Sequence, residues 1–334
     1  MQKNRRNLLK AAIGSVTTLS LSSTGLLSFP TMASTEIDIS QARIINGFPP
    51  GSTVDVVARK VAELLSGKYA KNVIVENRTG AGGQLAVTGM RSASPDGSTI
   101  LLTPMSILGV YPHTYAKLPY DPLNDLAPVS KAVTYEYGIA VGPAVPEEIT
   151  DINGLIDWFK KNPNMANIGS PATGSTLHFV GELLSRSTNT PITHVGYRGS
   201  SPGISDMLGG VLSAFCSPIG SFLGQPGLRV LATSGSQRNR FMPEVKTLAE
   251  QGFSEMVYQE WYGIFVPANT PDSKIEKLSQ LIQTVLKDPS VLTVTNLNGQ
   301  EITPSTPEEL KIALAEDTKR WGEIVKSIGF TLQS

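Results

Sequence analysis

Arg43-Ile44-Ile45-Asn46-Gly47-Phe48-Pro49-Pro50-Gly51-Ser52-Thr53-Val54-Asp55-Val56-Val57-Ala58-Arg59 decides the fold of this chain. Arg43 to Asn46 reads as a strand and Gly47 to Gly51 as the loop after it. Val54, Val57, Ala58, Val61, Leu64 and Leu65 then fall on one face with a 3.6-residue period, which predicts a helix. Strand, glycine-proline loop and helix in that order form half of a βαβ unit. Outward from it, Val73-Ile74-Val75 is a second strand, Gly83 to Ala93 a second helix, and Ile100-Leu101-Leu102 a third strand entered through Pro95-Asp96-Gly97.

A similar series begins again further on. Tyr137 to Val141 reads as an extended crossing. Helices are expected over Ile152 to Lys160, Leu177 to Leu184 and Ser201 to Leu208. Strands are expected at Asn167-Ile168, Ile192 to Val195, Leu212 to Phe215 and Val230 to Ala232. Trp261 to Val266 reads as the return crossing, and two late helices follow, around Ile275 to Leu286 and Leu310 to Ile328. The fold class is therefore α/β, with two lobes and a central cleft. The expected first lobe is 34–136 with 262–334, and the second is 137–261. Open α/β sheets bind ligands at the carboxyl ends of their strands, so loops from both lobes should meet in the cleft.

Residues 1–33 have the layout of an export signal. Lys3, Arg5, Arg6 and Lys10 precede a diluted apolar run from Ala11 to Phe29, and Ala33 offers a cleavage point. Asn4-Arg5-Arg6-Asn7-Leu8-Leu9-Lys10 is similar to the twin-arginine motif. The 334 residues are 40% hydrophobic and 17% charged, which excludes a disordered chain or a coiled coil. Cleavage after Ala33 turns a balanced charge into 24 basic against 28 acidic groups, which argues against a nucleic-acid partner. One cysteine, Cys216, and three scattered histidines exclude an internal disulfide and make a protein-built metal centre improbable. No metal or cofactor is expected.

The loop residues suit an anion. Gly51, Ser52 and Thr53 open one helix, and Thr173, Gly174, Ser175 and Thr176 open another in the second lobe. Exposed amides and the helix dipole there favour a carboxylate. His178 either caps locally or reaches the ligand. Tyr197 and Arg198 bound the cleft or lie on a surface loop. Gly80-Ala81-Gly82-Gly83 fails the dinucleotide fingerprint, because Leu85 stands where the third glycine is needed, and reads as a tight turn. A rival reading combines Cys216, His178 and Asp206 in an exported hydrolase, although Cys216 ends an apolar run, where thiols are usually buried and inert.

The chain resembles Bug-type periplasmic binding proteins, the receptors of tripartite tricarboxylate transporters. The resemblance is carried by Gly47 to Arg59, Val75-Glu76-Asn77-Arg78-Thr79-Gly80-Ala81-Gly82-Gly83, Pro95-Asp96-Gly97-Ser98-Thr99 and Tyr120-Asp121-Pro122. In the second lobe it runs through Gly174-Ser175-Thr176-Leu177-His178, His194-Val195-Gly196-Tyr197-Arg198-Gly199 and Asp206-Met207-Leu208-Gly209-Gly210, then Trp261-Tyr262-Gly263. It implies a type II periplasmic binding fold that closes on a small organic acid, held by backbone amides, hydroxyls and water. The implied partners are that mono-, di- or tricarboxylate and the membrane components of a tripartite transporter, with the receptor a monomer. Expected ligand contacts are Phe48, Gly51, Ser52, Thr53, Met105 and Ser106 from the first lobe. From the second come Thr173, Gly174, Ser175, Thr176, His178, Tyr197 and Ser217. Gly196, Arg198 and Ser213 depart from the family pattern. A ligand-sensing partner of a signalling protein would share this fold.

Overall fold

The computed structural model describes residues 37–332; the export signal read at residues 1–33 lies outside them. The first part of the chain runs β1 (Gln41–Asn46), α1 (Thr53–Leu65), β2 (Asn72–Asn77), α2 (Gln84–Met90), β3 (Thr99–Pro104), α3 (Met105–Gly109), α4 (Tyr111–Thr114) and β4 (Leu126–Tyr135). The middle runs β5 (Tyr137–Val141), α5 (Ile152–Lys161), β6 (Asn167–Ser170), α6 (Thr176–Ser187), β7 (Thr193–Gly196), α7 (Ser200–Leu208), β8 (Ala214–Pro218) and β9 (Arg229–Thr233). Last come β10 (Glu260–Pro267), α8 (Asp272–Val285), α9 (Pro289–Leu297), β11 (Gln300–Ile302) and α10 (Pro307–Ile328).

These strands form two sheets. The first has the order β11-β4-β10-β3-β1-β2 and the second β7-β6-β8-β5-β9. Within each, the βαβ strands are parallel: β1 to β2 and β3, and β6 to β7 and β8. The crossing strands run against them, β10 beside β3 and β4, and β5 beside β8 and β9. The chain leaves the first sheet across the single residue Glu136. It returns along β10, whose Glu260 and Trp261 pair with Tyr135 and Thr134.

One apolar core joins the sheets rather than stopping at each. Ile45, Leu101, Met105, Leu310 and Trp321 from the first part cluster with Ile139, Phe159, Ile168, Leu177 and Phe179 from the second. The loop after β1 is set by a close approach: a Cβ on Gly47 would stand 2.6 Å from the Cα of Gly83. Gly80 to Gly83 are thus the tight strand-to-helix turn expected, packed backbone to backbone against the loop that enters α1.

Candidate ligand-binding site

The loop from Gly47 to Ser52 is held from behind by one carboxylate. Asp55 Oδ2 accepts from the Gly51 amide at 2.8 Å and from Arg59 Nε at 2.8 Å. Its Oδ1 accepts from Asn77 Nδ2 at 2.7 Å and Asn46 Nδ2 at 3.3 Å. Asn46 Oδ1 takes the Phe48 amide at 2.9 Å, and Asn77 Nδ2 donates to the Phe48 carbonyl at 2.9 Å. Burial pushes the Asp55 pKa up, but the bonds from Arg59, Asn77 and Gly51 outweigh it and the net shift is downward. The Phe48 backbone is thereby held at the cavity by Asn46 and Asn77.

In front of that loop lies a cavity of about 40 Å³. Its walls include Phe48, Ser52, Thr53, Val54, Ser106, Tyr135 and Tyr262 from the first part of the chain and Pro171, Ala172, Ser175, Leu177 and Ser200 from the second. A hollow of about 350 Å³ shares Ser52, Thr53 and Ser200 with it and adds Gly51, Ser201, Ser205, Ser221, Gln225 and Asn298. The inner space admits a carboxylate with a water or two, at roughly 10–15 Å³ of accessible volume per water. The larger hollow has room for the rest of a small molecule. Among the described residues neither wall carries a charged side chain.

Two helices start at the inner cavity without side-chain caps. Ser52 precedes α1 and Ser175 precedes α6, and neither hydroxyl caps its helix. Ser52 Oγ is buried with no partner, whereas Ser175 Oγ donates to the Ala172 carbonyl at 2.6 Å. Among the described residues the amides of Thr53, Val54, Thr176 and Leu177 have no hydrogen-bond acceptor. Buried helix starts with open amides need an acceptor, and an anion is the one the dipole favours.

Of the residues expected from sequence, Phe48, Ser52, Thr53, Ser106 and Ser175 meet at the inner cavity, and Gly51 lines the larger hollow. The others are placed elsewhere. Met105 is wholly buried in the core. Thr173 accepts the Tyr115 hydroxyl on its carbonyl at 3.0 Å. Gly174 donates its amide to His178 Nδ1 at 3.1 Å, so His178 caps locally, with its ring 3.6 Å from that of His194. Burial, with His178 beside it, holds His194 down to about 3. Tyr197 gives its hydroxyl to Asp206 at 2.8 Å. Ser217 lies behind Ser200, whose Oγ is 2.7 Å from its own, and donates to Ser221 Oγ at 3.1 Å.

Thr176 is consumed by a residue that sequence reading missed. Glu260 is fully buried; its Oε2 accepts from Thr176 Oγ1 at 2.5 Å and its Oε1 from the Ser106 amide at 2.9 Å. Beside a tryptophan at a strand start, a glutamate carries no sequence signal of such burial. Tyr135 and Tyr262 were also missed as walls; Tyr262 places its hydroxyl 2.7 Å from Thr53 Oγ1. Arg198 lines neither space. It borders a separate hollow of about 110 Å³ behind Phe48, together with Gly80, Gly82 and Gly83.

The rival nucleophile is not presented. Cys216 is wholly buried in β8, and burial, with Glu260 nearby, pushes its thiol well above the usual range. No group of three or more potential metal ligands occurs among the described residues.

Comparison with known proteins agrees with this architecture. Protein BugT of Bordetella pertussis is 30% identical over 295 residues, 87% of this chain and 90% of the relative. A solved structure of a periplasmic transporter is 32% identical with a TM-score of 0.81, over 86% of this chain and 96% of that one. The R. palustris protein Rpa4515, solved with adipate, is 25% identical with a TM-score of 0.83, over 89% of this chain and all of the other. The profile of the tripartite tricarboxylate transporter family receptor matches residues 57–330, and the chain belongs to that family of receptors.

Proposed function

We propose that this receptor is exported, binds one small carboxylate between its two sheets and presents it to the membrane components of a tripartite transporter. The observation that carries the reading is the pair of uncapped helix starts, α1 and α6, facing one uncharged cavity. A carboxylate there satisfies amides from both sheets without a buried counter-cation, whose desolvation would be costly. The adipate bound by Rpa4515 supports an organic acid as the ligand class. The contacts proposed are Phe48, Ser52, Thr53, Ser106 and Ser175, joined by Tyr135, Ser200 and Tyr262, with Gly51 at the larger hollow. No helix among the described residues is long and apolar enough to cross a membrane, and cleavage after Ala33 would release the receptor outside the cytoplasm.

The test is thermal unfolding of the purified protein against a panel of carboxylates and amino acids, after unfolding and refolding to strip carried ligand. A ligand of the native state adds about 2.7 kcal/mol at a hundredfold excess over Kd. A selective rise with one acid is expected, and no rise with any acid defeats the reading. The hydrolase alternative requires that Cys216→Ser abolish a turnover. A receptor keeps its affinity in that variant.

A further inference from the structure

We infer that Glu260 is a proton-binding residue coupled to the ligand cavity, so that the receptor takes up one proton as it takes up a carboxylate. The inference rests on the carboxylate-receptor reading and adds a regulation of that site. Glu260 opens β10 at the point where the chain returns to the first sheet, and none of its surface is exposed. Its two oxygens tie the two halves together, one on the Ser106 amide of α3 and the other on the Thr176 hydroxyl of α6.

Among the described residues no basic side chain offsets it. The titratable groups that face it are Tyr111 of α4, Tyr135 of β4, Tyr137 of β5, Cys216 of β8, Tyr258 before β10 and Tyr262 within it. All are neutral when protonated, and burial raises every one. The nearest elements with charged groups direct them elsewhere. On α10, Asp317 accepts from Trp261 Nε1 at 2.8 Å, while Arg320 lies over the Tyr258 ring and donates to the Val257 carbonyl. On α6, His178 turns to Gly174 and Glu182. Burial pushes the Glu260 carboxyl above the ordinary range, and the bonds from Thr176 and Ser106 offset this only in part.

The coupling follows from shared walls. Ser106 and Tyr135 line the cavity, as do Ser175 and Leu177 on either side of Thr176. A ligand carboxylate placed there stands one layer of residues from Glu260. Two like charges in one low-dielectric site cannot both stay ionised cheaply, and Glu260, wholly enclosed and already raised by burial, is the one that takes the proton. The proton comes from solvent and joins Glu260, leaving the ligand ionised at the helix starts. It also reverses a hydrogen bond. An ionised Glu260 holds the Thr176 hydroxyl proton; a protonated one donates to Thr176 Oγ1 and frees that proton for another acceptor.

The test is calorimetric binding of malate and adipate to the wild type and to Glu260→Gln, from about pH 6 to pH 9, above the ordinary carboxyl range. Two buffers of different ionisation enthalpy count the protons. Glutamine keeps an acceptor for the Ser106 amide and a donor for Thr176, so the fold is preserved. The wild type is expected to take up a proton and to weaken by up to about tenfold per pH unit. The variant is expected to take up none, to stay flat, and to bind more tightly than the wild type at the alkaline end. Equal pH slopes in the two proteins, or binding by the wild type without proton uptake, overturn the inference and leave the carboxylate reading intact. If neither acid binds at any pH, that reading fails for both probes, and the unliganded proteins decide the rest. A carboxyl whose pKa is raised by folding stabilises the native state at low pH, and this is lost as pH rises through the folded value. The wild type should therefore lose thermal stability relative to Glu260→Gln as pH rises above the ordinary carboxyl range, and identical profiles overturn the inference.

Discussion

Ser52 and Ser175 stand at matching places, each just before a helix that starts at the cavity, yet their hydroxyls do different things. Ser52 Oγ is buried and unpartnered, while Ser175 Oγ holds the Ala172 carbonyl at 2.6 Å. Ser52→Ala should leave stability unchanged or raise it by up to about 1 kcal/mol, since it removes an unsatisfied buried group, and should weaken carboxylate binding about tenfold. Ser175→Ala should lower stability by about 1 kcal/mol as well as weaken binding. Urea unfolding with calorimetry separates the two, and a stability loss in Ser52→Ala contradicts the assignment. Asp55 acts through the loop instead. Its pKa lies below the ordinary Asp value on balance, so the stability it gives is present above that ordinary value and is lost as pH falls through the lower folded one. Asp55→Asn should be less stable at neutral pH and should lose less stability than the wild type below about pH 4. Thermal midpoints at a series of acid pH values show whether it does. The sequence marked Ser52 and Ser175 by their place at helix starts. It left Glu260 dark, because a glutamate is buried there only when two distant segments close over it.

Three helices away from the cavity are closed at their N-termini by their own side chains. Asp151, Asp288 and Thr306 cap α5, α9 and α10 with their own side chains, and α10 completes a capping box with Glu309. The helices α1 and α6 lack this, although each is preceded by a serine. Supplying an internal carboxylate should therefore mimic the ligand. Ser52→Asp is expected to raise stability by about 0.5–1 kcal/mol and to abolish carboxylate binding. Unchanged binding in that variant would mean that the α1 start is not where the anion sits. Legibility follows the same division by element. The helix α1 was readable because its buried Val54, Val57, Ala58, Val61 and Leu65 keep one period. The strand β4 was not: Pro128, Ser130 and Lys131 interrupt its pattern, and it is extended because β10 and β11 pair along its two edges. The short α3 and α4 carry no period of their own in the sequence, and α3 sets Met105 into the core.

Two sheets suggest two units that unfold apart, but the packing between them argues otherwise. The largest apolar cluster takes Ile45, Leu101 and Trp321 from one side and Ile139, Phe159 and Phe179 from the other. The helix α6, which starts at the cavity, lies against the terminal segment of the first part. Phe179 meets Trp321 at 6.2 Å and Phe330 at 5.2 Å, and the Arg186 guanidinium donates to the Ile328 carbonyl. By contrast, the tie from Arg240 to Glu301 and Asn296 is exposed, and a surface ion pair contributes about 0–1 kcal/mol. Cohesion therefore comes from the shared apolar core, and neither half can unfold without exposing its share of it to water. Scanning calorimetry should show one transition with calorimetric and van't Hoff enthalpies in agreement. If the proposed site is right, a bound carboxylate should move that transition as a whole, because the cavity is walled by both halves. Two resolved transitions, with the ligand shifting only one, would mean that the halves are independent and that the anion is held by a single helix start.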